Sequence, residues 1–352
     1  MANTANVAIQ SSQVPADQTD FPVLVDLSDL PAGFWSIVAN GGGDIRVFKS
    51  DGTTELAREV VSCDTATDTG ELWVKYAGTL SSSMDTTIQI HADGVSSDYA
   101  VTATYGRNAV WSDYAVVMHL TDLTDSTGNT SPTVRQTATP ASVTAQIGGA
   151  YSFNGSDSAI DVVLPAPVTS YTSSLQAWGK TRAGTTSTPL IAMADKDRTD
   201  EQYRLQARDI GRAVIYSVFN DASSDTTPAV ATDELWHLQA GVTSSNSRRD
   251  YVKDGVFLGN STDDATVVGV DRVTLGTTAD STPYGYWDGW IDEARLMWSV
   301  PATSQLETEY NNQSSPDTFY TVTAPATGPS TPINPSITNL LATSARLNWE
   351  QG

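Results

Sequence analysis

Apolar residues in this chain recur at every second position, in short runs separated by turn residues. From Val7 to about Asp93 the runs FPVLVDL, DIRVF, LWVKY and TTIQIHA alternate with punctuation such as Gly41-Gly42-Gly43 and Asp51-Gly52. A period of two bounded by glycine and aspartate predicts antiparallel strands. The densest packet of aromatic and β-forming residues is Tyr284–Trp298, YGYWDGWIDEARLMW. Its apolar series Ile291, Ala294, Leu296, Trp298 changes parity at Asp292-Glu293, and a strand cannot change face without a bulge or burial on both sides. The tract therefore reads as a closing strand that is either bulged or in the middle of a sandwich. Only Ser304–Asn312 has helical character, and a short hinge is expected between Asp93 and Trp111.

These elements predict an all-β chain of tandem β-sandwiches: an antiparallel sandwich over 1–103, a jelly roll over 111–323, a Pro-rich spacer over 324–335 (APATGPSTPINP) and the start of a further domain over 336–352. In the first unit, Phe21-Pro22-Val23-Leu24-Val25, Phe34-Trp35, Asp44-Ile45-Arg46-Val47-Phe48 with Asp51-Gly52, and Leu72-Trp73-Val74-Lys75 follow an order that resembles the DUF2341 family. In the second, Met118-His119-Leu120 with Asp125-Ser126-Thr127-Gly128-Asn129, then Ala150–Gly155, Leu175–Lys180, Leu235–Leu238, Tyr251–Gly255 and Gly289–Leu296 resemble the LamG-like jelly rolls. That resemblance implies a concanavalin A-like sandwich and, for the loop at Asp125, a calcium ion of the kind such domains often carry. Pro335–Leu340 and Ser344–Trp349 resemble the first two strands of a fibronectin type III domain, and two strands alone bury no core.

Composition narrows the partners. Of 352 residues 39% are hydrophobic, enough for real cores, while 19 basic against 41 acidic residues give a formal charge of -22. Repulsion excludes nucleic acid and anionic membrane surfaces, and no apolar run approaches the length of a membrane span. The single Cys63 leaves no internal disulfide and reads as a small buried hydrophobe. The amino terminus MANTANVAIQ has neither a basic region nor an apolar core for a signal peptide. Release in a virus particle is then the expected route outside a cell, with secretion as part of a larger protein as the alternative.

Candidate chemistry is sparse. Carboxylates at alternate strand positions would suit glycan hydrolysis, but Asp288-Trp290-Asp292 lacks the central acid. His91, His119 and His237 lie in strand-like contexts without a nucleophile nearby, and Trp35 and Trp73 read as core. Asp122, Asp125 and Asn129 offer calcium-type oxygen ligands within one loop, with Asp157 and Asp292 able to complete a shell; Asp, Ser, Gly and Asn equally make good turns. Tyr284, Tyr286, Trp287 and Asp288 have the chemistry of a glycan contact, flat rings beside a fixed acceptor, although the same aromatics could cover the core or form a subunit contact. The expectation is a non-catalytic surface-display or adhesion protein, first as a phage virion component (tail or capsid surface) with host-glycan binding, and with virion or cell-surface proteins or its own copies as partners. The alternatives are a fragment of a secreted bacterial adhesin or carbohydrate-binding protein, and a polysaccharide-cleaving enzyme with an unrecognised site.

Overall fold

The computed structural model describes residues 3–135, 139–140, 145–168, 172–185, 188–199, 202–208, 212–218, 233–262, 267, 269–324, 336–341 and 344–348. The first sandwich is built from β1 (Asn3–Ile9), β2 (Gln18–Asp26), β3 (Arg46–Lys49), β4 (Glu55–Asp64), β5 (Thr69–Leu80) and β6 (Thr86–Ala92), all antiparallel. β4 serves both halves, its first residues pairing with β3 and the rest with β5. Alternation sends Val23, Val25, Leu72 and Val74 into a core that also holds Trp35 and Cys63, while Leu24, Glu71 and Trp73 face outward. The stretch between Asp93 and Trp111 is no free hinge: it carries the one-turn helix Arg107–Val110 and is bonded to β4, with Arg58 N donating to Tyr105 O and the Arg58 guanidinium 2.7 Å from Asp98.

The second sandwich has two facing sheets. The docked sheet runs through β18 (Val256–Ser261), β17 (Arg248–Lys253), β16 (His237–Ser245), β12 (Ser173–Thr181), β20 (Asp288–Met297), β10 (Tyr151–Asn154) and β9 (Thr139–Pro140), with β7 (Val116–Met118) also on β20. The outer sheet runs through β15 (Arg212–Val218), β14 (Gln202–Arg208), β13 (Thr188–Ala194), β19 (Val270–Leu275), β11 (Ala159–Val168) and β8 (Thr133–Arg135). Their inner faces share one core containing Phe153, Leu175, Leu190, Tyr203, Tyr251, Trp287 and Leu296. The parity break in the closing strand is a bulge. Trp178 pairs with Asp292 and Gln176 with Arg295, so two residues of β12 span three of β20, and Glu293 sits at φ 48°. The extra residue puts Asp292 and Glu293 in succession on the outward face, followed by Arg295.

That outward face packs against the first sandwich. Leu24, Trp73, Val110, Trp111, Tyr114, Val117, Ile147 and Met297 form an apolar cluster drawn from both units. Helix α3 (Thr303–Ser314), after the one-turn helices α1 (Ala32–Trp35) and α2 (Arg107–Val110), straps the junction. Asn312 Oδ1 accepts from Leu24 N at 2.7 Å and its Nδ2 donates to Leu24 O at 2.9 Å, capping the edge strand β2, while Trp178 Nε1 donates to Gln313 Oε1 at 2.7 Å. The chain then returns to the first unit: Tyr320–Thr323, read from the sequence as the end of the jelly roll, pairs antiparallel with β1, and Phe319 and Tyr320 are buried in the first core. Burial of two aromatics decided that pairing, over the sequential proximity to the second unit. Beyond it, Ser336–Leu341 and Ser344–Asn348 form an antiparallel hairpin, and of the spacer 324–335 all but Ala324 lies outside the described residues.

Candidate functional site

On the outer sheet Ile191, Met193, Tyr203 and Leu205 point into the core, so their alternates Ala192, Ala194, Gln202, Arg204 and Gln206 lie on the other face. The loop between β19 and β20 folds across that face, packing Ala279 on Ala192 and Ala194. Its anchors are polar: Ala279 N donates to Gln202 Oε1 at 3.4 Å, Arg272 NH1 donates to Ala279 O at 3.4 Å, and Tyr284 N donates to Thr278 Oγ1 at 2.9 Å. Tyr284 stands out from this base 43% exposed, its OH accepting from Arg204 NH1 at 2.6 Å and the guanidinium 5.1 Å from its ring centroid. A ring fixed by a cation–π contact and a charged hydrogen bond loses little freedom on binding.

The four residues anticipated as a glycan contact separate. Trp287 is fully buried in the core, where Gly179 leaves it room, since a Cβ there would lie 2.9 Å from the indole. Tyr286 is half-buried and bridged to Thr277. Asp288 is 2.6 Å from Arg182 NH1, and Arg182 also covers Trp290 at 4.5 Å. Tyr284 alone of the four has a strongly exposed ring. Arg204 and Gln202 were missed because they lie about eighty positions away on another strand; alternation on QYRLQAR was the available signal.

Of the calcium-type residues, Asp125 is 3% exposed and already takes donors from Val117 N, Thr127 N and Oγ1, and Thr130 N and Oγ1, at 2.7 to 3.1 Å. Its loop is closed by its own amides and hydroxyls. Asn129 N donates to Thr127 Oγ1 at 3.2 Å, Asp122 lines a separate cavity of about 230 Å³ beside Arg58 and Arg107, Asp157 accepts from Asn154 Nδ2 at 2.7 Å, and Asp292 accepts from Ile147 N at 2.8 Å in the seam.

The seam holds the largest concentration of buried charge. His119 lies with Nδ1 2.6 Å from Glu293 Oε1 and Nε2 3.1 Å from Glu59 Oε2; Arg295 NH2 donates to Glu293 Oε2 at 2.7 Å, its guanidinium 4.4 Å from the Trp73 ring and 5.0 Å from Trp111. Burial drives His119 down, but Glu293 and Glu59 outweigh it and raise the imidazole well above its ordinary range. Burial would raise Glu293, and the charges of His119 and Arg295 instead hold it low. Burial pushes Glu71 up to about 8, and burial together with the Glu293 charge raises Asp292 well above the carboxylate range. The cations His119 and Arg295 thus hold Glu293 ionised, while Glu71 and Asp292 are pushed toward their protonated forms. Sequence reading weighed His119 only as a residue in a strand-like context and Asp292 only as a calcium ligand or as one acid of an incomplete hydrolytic set, and it missed Glu59, Glu71, Glu293 and Arg295 because each occupies a strand position whose parity looks solvent-facing. Glu71, His119 and Glu293 place one ligand atom each within 4.8 Å of one another; Asp195, Asp197 and Asp271 do the same near the surface, where Lys196 Nζ already lies 2.7 Å and 3.0 Å from Asp197 and Asp271. A cleft of about 740 Å³ also opens along the seam, walled by residues such as Asp26, Ser28, Gln146 and Ser314, with no aromatic ring among its described lining.

No family model and no curated protein matches this chain. Among solved structures it is similar to domain 4 of AbnA, a GH43 extracellular arabinanase from Geobacillus stearothermophilus, in complex with arabinotriose, at 25% identity and TM-score 0.46, over 56% of this chain and 98% of that one. It is similar to a botulinum neurotoxin type C structure described for cell entry dependent on two ganglioside molecules, at 9% identity and TM-score 0.45, spanning 59% of this chain and about half (52%) of that one. A third is the Ruminococcus gnavus IT-sialidase CBM40, at 15% identity and TM-score 0.35, over 43% of this chain and 96% of that one.

Proposed function

We propose that this chain is a non-catalytic glycan-binding module of a surface-displayed protein, with Tyr284 as the stacking platform and the polar face around Arg204 as its base. The observation that carries the reading is the exposed Tyr284 ring, immobilised by Arg204 over a hydrogen-bonded polar base. Sugars present C–H faces to flat rings and hydroxyls to fixed donors and acceptors. The opposite outward face of the same sandwich is occupied by the first unit and by α3. Hydrolysis is disfavoured by the placement of the carboxylates: Asp288 is paired with Arg182, and Asp292 is fully buried, so the two cannot flank one glycosidic bond. The acidic charge and tandem sandwiches suit dense display, which we assign to a phage virion in preference to a bacterial adhesin. A glycan array comparing the wild type with Tyr284→Ala tests the site: binding that disappears with an unchanged melt supports it, and equal binding overturns it. Detection of the chain in purified particles tests the setting.

A further inference from the structure

We infer that the chain carries a second ligand site, for a neutral oligosaccharide, in a two-lobed groove beside the junction of the units, with Trp298 as its stacking ring and Asn129 and Asn108 as its hydrogen-bonding groups. It shares no residue with the Tyr284 face: Tyr284 precedes β20 and Trp298 follows it, and a ten-residue strand spans about 33 Å. One lobe, about 310 Å³, lies between Trp298 and the end of β11 at Leu164, Pro165 and Ala166; the other, about 470 Å³, reaches Asn108, Thr102 and Thr104 in the segment that leaves the first unit. Ser112, Tyr114 and Asn129 line both lobes, so the two meet there. Each has the size of a small-molecule cleft, and such clefts favour domain boundaries.

The walls supply what a sugar needs. Trp298 is half-buried, packed on the jelly-roll core while also lining the first lobe, so its ring is held in place with part of it open. Asn129 is carried by the Asp125 loop, whose closure fixes the Asn129 backbone through Thr127 Oγ1 at 3.2 Å and leaves the side-chain amide without a partner among the described residues. Asn108 Nδ2 lies against Gly128, where a Cβ would come within 2.6 Å of it, and Asn108 Oδ1 accepts from Arg107 Nε at 3.3 Å. Amides carrying both donors and acceptors, held on a closed loop and on α2, match sugar hydroxyls at little ordering cost. Charge and backbone select the occupant. Asp113 is the one charged side chain of the described lining, and Lys75 Nζ lies 2.6 Å from it, so no unpaired cation awaits an acidic sugar. An extended peptide would need a strand edge: among the described residues β8 covers only Ala159, Ile160 and Asp161 of β11, but Pro165 and Pro167 deprive the remainder of two amide donors.

The test is titration of the full chain carrying Tyr284→Ala, which silences the other face, with the neutral trisaccharides cellotriose, xylotriose and maltotriose and with acidic trigalacturonate, followed in nitrogen–proton spectra. The expected result is that at least one neutral trisaccharide shifts the indole signal of Trp298, identified by its absence in Trp298→Phe, together with the side-chain amide of Asn129, while trigalacturonate moves neither. Added to that background, Trp298→Ala should weaken binding by roughly tenfold or more, and Asn129→Ala by roughly 2- to 10-fold. Should Trp298→Ala lose its packing, seen as a lowered melting temperature, Asn129→Ala and Asn108→Ala decide. Retained binding in Tyr284→Ala that these substitutions weaken supports the groove whatever becomes of the other face. No shift with any neutral trisaccharide, equal shifts with trigalacturonate, or unchanged affinity in folded Trp298→Ala, Asn129→Ala and Asn108→Ala overturns it.

Discussion

The second sandwich turns two outward faces in different directions. On the docked sheet, Asp292, Glu293, Arg295 and Trp178 are all at most 1% exposed; on the outer sheet, Tyr284 stands 43% exposed over Arg204 and Gln202. Both faces are written with polar and aromatic residues, and what separates them is the cover. Each indole fully buried in the seam removes on the order of 200 Å² from water, about 5 kcal/mol as an upper figure. That apolar contribution from Trp73 and Trp111 holds the units together, while the buried ions must compensate one another to avoid opposing it. The docked face is therefore closed by the first unit, and the outer face keeps the exposed Tyr284 ring on which the proposed glycan site rests.

The largest effect should come from breaking the compensation. Arg295→Met leaves Glu293 with His119 alone and is expected to cost roughly 3 to 5 kcal/mol, read as a lowered urea midpoint. A cost under about 1 kcal/mol would mean that the seam charges are solvated and the contrast with the outer face is false. Trp287→Ala is expected to cost about as much, roughly 3 to 5 kcal/mol, because the indole fills the jelly-roll core. Asn312→Ala removes both hydrogen bonds to Leu24 and should cost about 1 to 3 kcal/mol by leaving a buried amide and carbonyl unpaired. Unfolding that splits into two transitions in this variant would identify α3 as the strap between the units.

A smaller effect is expected at the end of the docked sheet. His237 Nδ1 lies 2.7 Å from Asp254 and Nε2 2.9 Å from Asp233, with Lys253 close by. Burial lowers the imidazole and Lys253 adds to that, but Asp254 and Asp233 prevail and its folded value is raised. A raised histidine contributes stability that is fully present below its unfolded value, about 6.5, and is lost as pH rises through the folded value. Melts of His237→Gln and wild type should therefore converge toward high pH and diverge below about 6.5. Parallel curves across that range would contradict the assignment.

The fold was legible because alternation is a local property. QTDFPVLVD and TGELWVKYAGTL show their inner faces directly, and the parity change at Asp292-Glu293 left a bulge or a mid-sandwich strand open, of which the register contains the bulge. The site was less so, because which outward face is covered depends on contacts far apart in sequence. Trp73 was the available clue: it shares parity with Glu71 and Lys75 and opposes Leu72 and Val74, so an indole on a polar face already implied a cover. Trp287 and Tyr284 are three residues apart in one aromatic tract, and composition alone does not separate the buried ring from the exposed one. Tyr320 was misplaced for a related reason, since nothing near it in sequence reveals that β1 is an open edge.

The smallest expected stability effect belongs to Tyr284→Phe, and it sharpens the comparison most. The substitution keeps the ring and removes only the oxygen that accepts from Arg204 NH1 at 2.6 Å. At a position 43% exposed, water can replace that bond, so the loss should be within about 1 kcal/mol, against the several expected for Arg295→Met in the seam. Glycan affinity separates two roles for the residue. If the ring is the platform and Arg204 chiefly orients it, Tyr284→Phe keeps most of the binding that Tyr284→Ala loses, because the cation–π contact still holds the ring. If the phenol oxygen itself completes the polar recognition, both variants fail alike, since a sugar hydroxyl is left without its partner. Titration calorimetry on a glycan identified by the array decides between them, and full affinity in both variants would remove Tyr284 from the site.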